Sequence, residues 1–135
     1  MILNIKLKPI GIISSKYKDR ESAPRQGRYS DEKSVIKVFE DYLEGLDGID
    51  LHRYYMVFYW QDHAERDKLK VIPHGKTVER GVFSTRAPVR PNPIGFCLVE
   101  LLEINDNMLT VRWLDALDGS PLLDIKLFWK EVDSV

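Results

Sequence analysis

The chain has 135 residues, of which 44% are hydrophobic and 30% are charged, and its formal net charge at pH 7 is −1. This length fits one domain with a hydrophobic core of ordinary size. The composition excludes an intrinsically disordered chain, and the near-neutral charge excludes a protein that binds nucleic acid through bulk positive charge.

The first third of the chain predicts a strand, an exposed loop and a helix. Residues 5–14 alternate loosely and are rich in isoleucine, which is typical of a strand. Residues 15–30 hold five basic residues and predict a long exposed loop. Ser30 suits a helix N-cap, and a stripe of apolar residues follows at helical spacing: Val35, Ile36, Phe39 and Leu43. This pattern predicts one main helix over about residues 31–45.

The rest of the chain predicts strands. Residues 52–60 are aromatic and apolar on both faces, so we expect a central strand there. Polar residues 61–76 predict a loop. Further strands are expected over residues 77–84, 95–104, 108–115 and 122–129, with a hairpin turn at residues 105–107. The fold prediction is therefore a mainly β, single β-barrel-like domain with one main helix.

Cysteine usage and the N-terminus indicate the compartment. Cys97 is the only cysteine, so no internal disulfide can form, and this favours a reducing compartment such as the cytoplasm. Its apolar neighbours predict that Cys97 is a small buried residue and not a nucleophile. Lys6 and Lys8 come too early for a signal peptide, and no apolar run approaches the roughly 20 residues of a membrane span.

A proline-rich loop follows the strand predicted over residues 77–84. Pro88, Pro91 and Pro93 fix the backbone and remove N–H donors, so Arg86 and Arg90 should lie on a stiff loop. Preorganised guanidinium groups suit a carboxylate or a phosphate. A rigid connector with solvated arginines explains the pattern equally well, and a polyproline ligand for another domain explains it less well.

Two carboxylates, Asp115 and Asp118, lie at a strand end beside a glycine turn. Such a pair can hold ribose hydroxyls or a cation, but a capped turn with local hydrogen bonds is the simpler interpretation. The three histidines, His52, His63 and His74, are too widely spaced for a compact metal motif. With one cysteine available, we expect no metal site.

Four segments, in this order along the chain, together resemble the TrmO-type family of methyltransferases, also called YaeB or VirR-like. They are residues 9–14 (Pro-Ile-Gly-Ile-Ile-Ser), 24–26 (Pro-Arg-Gln), 81–95 and 115–126 (Asp-Ala-Leu-Asp-Gly-Ser-Pro-Leu-Leu-Asp-Ile-Lys). The third segment contains Gly-Val-Phe-Ser-Thr-Arg and Arg-Pro-Asn-Pro-Ile-Gly, a long and specific block. The resemblance covers nearly the whole chain.

The resemblance implies one β-barrel methyltransferase domain over residues 1–135, which forms a homodimer with the cofactor close to the subunit interface. The implied cofactor is S-adenosyl-L-methionine, and the implied partner is tRNA in the cytoplasm. The implied reaction is N6-methylation of threonylcarbamoyladenosine next to the anticodon.

The family's site residues carry over to matching positions of this chain. The cofactor-binding set comprises Pro24, Arg25, Gln26, Gln61, Asp62, Arg86, Arg90, Asp115, Ala116, Leu117 and Asp118. An arginine is expected to hold the cofactor carboxylate, so that an Arg90→Ala variant loses the cofactor but stays folded. An aspartate is expected to hold the ribose diol. Asp115 and Asp62 are also the candidates for the catalytic general base.

The basic loop is expected to contact tRNA phosphates, because such contacts supply salt-dependent affinity. The residues predicted to bind tRNA are Lys16, Lys18, Arg20 and Arg28.

Four places depart from the family pattern: Ser15-Lys16-Tyr17, Gln61, Val89 and Lys126-Leu127-Phe128. Gln61 stands where the family usually has a histidine, and Val89 precedes the Arg-Pro-Asn-Pro block. Because both positions touch the expected site, two alternatives stay open. One is a methyltransferase of the same fold with a different acceptor. The other is an RNA- or nucleoside-binding module that has lost catalysis.

Overall fold

The computed structural model describes residues 3–135 as a closed antiparallel barrel with short connections. The barrel strands are β1 (Gly11–Ser14), β2 (Lys33–Val38), β3 (Tyr54–Trp60), β6 (Ile94–Asn105), β7 (Met108–Arg112) and β8 (Pro121–Leu127). A separate two-stranded sheet joins β4 (Lys70–Val71) to β5 (Arg80–Gly81). The helical segments are short: 3-10 turns at Gly27–Tyr29, Glu40–Leu46, Ile49–Leu51 and Val82–Ser84, and the α-helix α1 (Lys130–Asp133). Within residues 3–135, no helix has the length and apolarity to cross a membrane.

The barrel closes in the order β1-β2-β7-β6-β3-β8, with β8 pairing back onto β1. The closing contact aligns Gly11 with Leu122 and Ile12 with Pro121. Closure gives each barrel strand two hydrogen-bonded neighbours, so the barrel leaves no open sheet edge. The predicted mainly β, barrel-like domain is confirmed.

Alternate side chains of each strand fill the barrel interior. On β3, Tyr55, Val57 and Tyr59 are buried in the core, while Met56 and Phe58 point outward and are half-buried. β3 pairs with both β6 and β8, so the predicted aromatic strand is confirmed; in a closed barrel every strand has two neighbours, and none is more central than another. The other strands contribute inward residues of the same apolar kind: Ile13, Ile36, Val38, Val99, Leu109, Val111 and Leu122.

The predicted main helix over about residues 31–45 is not an α-helix: the segment forms a strand followed by a 3-10 helix. Residues Lys33–Val38 form β2, whose burial alternates along the chain, and Glu40–Leu46 form 3-10 helix instead of α-helix. Neighbouring apolar residues fit both a period of 3.6 and a period of 2, and here the β-branched residues favour the strand. Ile36 and Val38 face the core, whereas Phe39 and Leu43, which the helical stripe needs, are both 41% exposed.

Other predicted elements are shorter than expected but lie in the predicted places. Only Gly11–Ser14 of residues 5–14 pairs as a strand, and only Arg80–Gly81 of residues 77–84 does so before a 3-10 turn. The hairpin turn at residues 105–107 is confirmed, with Asp106 at a φ of 55°.

A close backbone approach lies where β3 and β6 pair. Gly95 is aligned with Tyr59, and a β-carbon on Gly95 would lie 2.4 Å from the Tyr59 ring. Real β-carbons do not make such contacts, so only glycine lets the buried ring keep its position. This contact holds Tyr59 at the boundary between the core and the loops.

We expect Gly95→Ala to lower the free energy of unfolding by about 1–3 kcal/mol, because the added methyl group forces the Tyr59 ring to shift in a filled core. Chemical denaturation measures the change. Gly45→Ala is the control, because a β-carbon there meets nothing within 4 Å, and it should change stability by less than about 0.5 kcal/mol. Equal unfolding midpoints for the two variants contradict the close approach.

Candidate functional site

Several loops meet around a cavity of about 870 Å³, here called the main cavity. Its walls come from the loop before the Gly27–Tyr29 turn, the end of β3, the β4–β5 connection, the proline-rich loop and the turn after β7. Ten of the eleven predicted cofactor-binding residues line it: Pro24, Arg25, Gln26, Gln61, Asp62, Arg86, Arg90, Asp115, Leu117 and Asp118. The exception is Ala116, which is fully buried in the hydrophobic core.

A buried polar cluster supports Asp115 at the cavity wall. The Tyr59 hydroxyl and the Cys97 thiol both donate to Oδ1 of Asp115, the thiol at 3.0 Å. Within residues 3–135, no donor reaches the other oxygen, Oδ2. Asp115 therefore lines the cavity with one oxygen held by the protein and one available to a ligand donor.

The environment keeps both donors of this cluster protonated. Burial, and then the negative charge of Asp115, raise the pKa of the Cys97 thiol well above its ordinary value. The same two causes, in the same order, raise the pKa of Tyr59 far above the ordinary range. Cys97 is only 6% exposed, which confirms that it is buried, but its hydrogen bond to Asp115 was not predicted.

Asp118 has a different environment although it is only three residues away. Its Oδ1 accepts the Ser15 N–H at 3.0 Å, and its Oδ2 accepts the Lys18 ammonium at 2.7 Å. These two partners lower the pKa of Asp118 below its ordinary value, the Lys18 hydrogen bond most strongly. Asp118 thus ties the basic loop to the turn after β7, and both of its oxygens have protein partners.

The two arginines of the proline-rich loop also differ in their contacts. One terminal nitrogen of Arg90 donates to the carbonyl groups of Val82 and Thr85, and the Arg90 backbone N–H donates to Glu65 at 3.1 Å. Arg86 is exposed and makes one hydrogen bond, 3.1 Å long, to the side chain of Gln26. Arg90 braces the loop, whereas Arg86 keeps most of its donors free for an anion.

The end of β3 contributes Gln61 and Asp62 to the main cavity. The Gln61 N–H donates to the Pro93 carbonyl at 2.8 Å, which anchors this corner to the proline-rich loop. The Asp62 side chain is exposed and accepts no hydrogen bond within the described part of the chain. His63 and His74 also line the cavity and were not predicted as site residues, because their wide spacing carried no signal. Residues 3–135 contain no cluster of three metal-ligating side chains.

The four residues predicted to contact tRNA do not form one patch. Lys16 pairs with Glu32 at 2.8 Å and Lys18 pairs with Asp118 at 2.7 Å. Arg20 lines the main cavity, and the Arg28 guanidinium lies 4.1 Å from the centre of the Trp113 ring. The basic loop is therefore partly neutralised. Within residues 3–135, its charges without an ion pair are Arg20, Arg25 and Arg28.

Comparison with known proteins agrees with the geometry. The family model of the tRNA-methyltransferase O N-terminal domain, TrmO_N, matches residues 12–134. An S-adenosyl-L-methionine-binding protein from Archaeoglobus fulgidus is 57% identical over 96% of this chain and 93% of its own length. A probable S-adenosyl-L-methionine-binding protein from Methanothermobacter thermautotrophicus is 52% identical over 98% of this chain and 96% of its own length.

The crystal structure of TrmO from Pseudomonas aeruginosa superimposes with a TM-score of 0.81 at 27% sequence identity. The superposition covers 98% of this chain and 60% of the TrmO chain. The present chain thus spans about three fifths of that solved protein.

The Cys97 cluster predicts a pH dependence of stability. An unfolded thiol with the ordinary pKa of 9.0 loses its proton at a pH where the folded thiol keeps it. The stabilisation is fully present below the unfolded pKa and is lost as the pH rises above it. Between about pH 8 and about pH 10, the unfolding free energy should fall with pH less steeply in Cys97→Ala than in the wild type. The two slopes should differ by up to about 1.4 kcal/mol per pH unit.

Denaturation curves across this pH range measure both slopes. Cys97→Ser is the matched control, because its hydroxyl can donate to Asp115 but does not titrate; its slope should equal that of Cys97→Ala. Identical slopes for the wild type and both variants contradict a protonated folded thiol.

The two arginines of the proline-rich loop give a second prediction. Arg90→Ala should lower the unfolding free energy by about 1.5–3 kcal/mol, because it removes charged hydrogen bonds to two carbonyl groups. Arg86→Ala should change it by less than about 0.5 kcal/mol, because Arg86 is exposed. Thermal and chemical denaturation measure both. A fully stable Arg90→Ala protein contradicts the bracing role. That result would support the expectation from the sequence that Arg90 acts on the cofactor alone.

Proposed function

Because the chain belongs to the TrmO_N family of tRNA-methyltransferase O N-terminal domains, we propose that it is an S-adenosyl-L-methionine-dependent methyltransferase. The proposed substrate is threonylcarbamoyladenosine next to the tRNA anticodon, and the proposed product is its N6-methylated form. The observation that carries the proposal is the convergence of ten predicted cofactor-binding residues, from separate segments, on one cavity. tRNA is a cytoplasmic substrate, so we also place the protein in the cytoplasm.

The main cavity fits the cofactor in size and chemistry. Its volume of about 870 Å³ lies within the range of small-molecule sites, about 300–1,000 Å³. The exposed guanidinium of Arg86 suits the carboxylate of the methionine part, since arginine binds carboxylates through paired donors. Oδ2 of Asp115 suits a ribose hydroxyl donor. When bound, S-adenosyl-L-methionine supplies an electrophilic methyl group on a sulfonium.

The residues of this chain have two tasks: to orient the acceptor nitrogen and to take its proton. We assign proton acceptance to Asp62 in preference to Asp115. Oδ1 of Asp115 already accepts two hydrogen bonds, whereas Asp62 is exposed in the cavity and accepts none within the described residues. Orientation by a stiff loop contributes much to such a reaction, since alignment of reactants removes an entropic cost of about 7–11 kcal/mol in favourable cases.

A different methyl acceptor is the second candidate function. Gln61 and Val89, the two departures from the family pattern near the site, both line the main cavity. His63 lines it as well, two residues beyond the position where the family usually has its histidine. These three side chains are the places where this second candidate puts a different choice of acceptor.

We propose that the working form is a homodimer. Around the β4–β5 sheet beside the main cavity, large apolar side chains are exposed in the single chain: Leu69 (62%), Ile72 (61%), Val78 (55%) and Phe83 (82%). A second copy that covers this apolar rim buries surface that otherwise contacts water. Sedimentation velocity tests this, and a monomer at micromolar concentration contradicts it.

Methyl transfer from labelled S-adenosyl-L-methionine to tRNA, with and without its threonylcarbamoyl group, tests the proposed function. We expect incorporation only into the modified tRNA. Arg86→Ala should weaken cofactor binding about 10-fold to 100-fold, the loss expected for one charge-assisted contact. Arg80→Ala is the control, because Arg80 does not line the main cavity and, within residues 3–135, its side chain makes one hydrogen bond, to the neighbouring Glu79 carbonyl.

The outcomes separate the candidates. Cofactor binding without incorporation into either tRNA moves the assignment to another acceptor, and Gln61→His is the first variant to test for recovery. Absence of cofactor binding to the wild type overturns the methyltransferase assignment itself.

A further inference from the structure

The outer surface of the barrel carries a stripe of aromatic and apolar side chains along β3 and β6. Phe58 pairs with Phe96 and Trp60 pairs with Ile94 across the two strands, and the Phe58 and Phe96 rings lie 6.4 Å apart. At the other end of the stripe, the Tyr54 ring stacks in parallel with the Trp113 ring, with centroids 6.2 Å apart. We call this stripe the aromatic face. Phe96 is 40% exposed and Tyr54 is 37% exposed.

Four arginines lie on rings of the aromatic face. Arg112 of β7 lies 4.5 Å from the Trp113 ring centre and forms ion pairs with Asp31 and Glu100. The other three come from three separate loops. The guanidinium carbon is 4.1 Å from the Trp113 ring centre for Arg28, 4.7 Å from that of Phe96 for Arg86, and 5.0 Å from that of Trp60 for Arg66. Lys126, opposite Met56 on the neighbouring strand β8, joins the three loop arginines to make a set of four cations. Within residues 3–135, none of these four cations forms an ion pair with a carboxylate.

Three acidic residues near this face have other partners: Asp31 accepts the indole N–H of Trp113 and pairs with Arg112, and the other two accept backbone N–H groups. Asp124 accepts the N–H of Ile125 at 2.9 Å, and Asp133 accepts the N–H of Trp129 at 2.8 Å. Arg28, Arg66 and Lys126, which have no carboxylate partner within residues 3–135, therefore remain available to an anionic partner, whereas Arg86 is assigned to the cofactor. A second copy on the same face, related by a two-fold axis, would bring like charges against each other.

Trp113 has a backbone conformation that large residues rarely adopt. Its φ is 76°, in the left-handed region. Gly27 fits against its carbonyl group, where a β-carbon would lie 1.8 Å from the oxygen, and the indole N–H donates to Asp31 at 3.2 Å. Strained residues of this kind cluster at functional sites.

A second cavity of about 600 Å³, the side cavity, opens on the aromatic face between these groups. Arg28, Trp113 and Lys126 line the side cavity, and Gln26, Arg86 and Phe96 line both it and the main cavity. The two cavities are thus neighbours, divided by one wall of three side chains.

We propose that the aromatic face and its side cavity bind the single-stranded RNA nucleotides that flank the methylated nucleotide, an inference that rests on the proposed function. Bases stack on the aromatic rings, and phosphates contact Arg28, Arg66 and Lys126. Sequence-tolerant binding of single strands uses this combination of stacking platforms and cations, and aromatic side chains on a sheet surface are a common form of it. The shared wall places the neighbouring nucleotide next to the methyl donor site.

Equilibrium binding of a labelled anticodon stem–loop RNA, followed by fluorescence anisotropy at three salt concentrations, tests the proposal. Tyr54→Ala should weaken RNA binding about tenfold, because it removes a stacking ring. Tyr54→Phe should bind like the wild type. Lys126→Ala should weaken binding severalfold and reduce the salt slope by about 0.7, the value for one phosphate contact on a single strand.

Matched controls lie on the far side of the barrel. β2 is three strands from β3 in either direction around the barrel, so Lys37→Ala on β2 and Phe39→Ala just after it remove a lysine and an exposed aromatic ring away from the aromatic face. Both should keep wild-type RNA affinity. All variants should keep wild-type affinity for S-adenosyl-L-methionine, measured by calorimetry, and the wild-type mass, measured by light scattering.

The results separate this inference from the proposed function. Unchanged RNA affinity in both Tyr54→Ala and Lys126→Ala, or no RNA binding by the wild type, overturns the inference. A loss of dimer mass in these variants identifies the face as a contact between copies and also overturns it. Wild-type RNA binding that depends on the face, without methyl transfer to any tRNA, supports the inference while the proposed function fails.

Discussion

The contact between the Tyr59 ring and the bare backbone of Gly95 connects the barrel core to the main cavity. Because Gly95 has no side chain, the ring occupies the space that a β-carbon would take, and its hydroxyl reaches Asp115. Cys97 lies two residues further along β6, points to the same side and donates to the same oxygen. The core therefore ends in a polar cluster in which two strand residues, Tyr59 and Cys97, hold a carboxylate of the turn after β7 at the cavity wall.

Around that fixed carboxylate, residues of the same chemical type have divided roles. Asp118 and Arg90 use their polar groups to tie loops together, whereas Asp115 and Arg86 keep polar groups available to a ligand. A binding site needs both kinds of residue, because a ligand gains little from groups that must first be ordered. The bracing contacts of Asp118 and Arg90 hold the long loops in place, so that Asp115 and Arg86 present their free polar groups to a ligand without further ordering.

The sequence predicts the barrel well because short strands and turn residues recur along the second half of the chain. It does not predict β2, since Val35, Ile36 and Val38 fit a helical and a strand period alike, and only pairing with β1 and β7 decides between them. Of the eleven cofactor-binding residues that the family resemblance implies, ten line one cavity. The cluster at Asp115 and the ion pair of Lys18 depend on contacts between distant segments, which the residue pattern alone does not contain.

The shared wall of Gln26, Arg86 and Phe96 separates the main cavity from the side cavity on the aromatic face, and different demands act on the residues of each. Under the proposed function, groups in the main cavity select the methyl acceptor, and they lie on loops where Gln61 and Val89 differ from the family pattern. Most rings of the aromatic face lie on the paired strands β3 and β6, where a substitution also alters packing, whereas Arg28, Arg66 and Arg86 lie outside the barrel strands. Loops change more freely than strands do. On the proposed assignment, a change of acceptor alters loop residues of the main cavity and leaves the paired strands β3 and β6 of the proposed RNA-binding face unchanged.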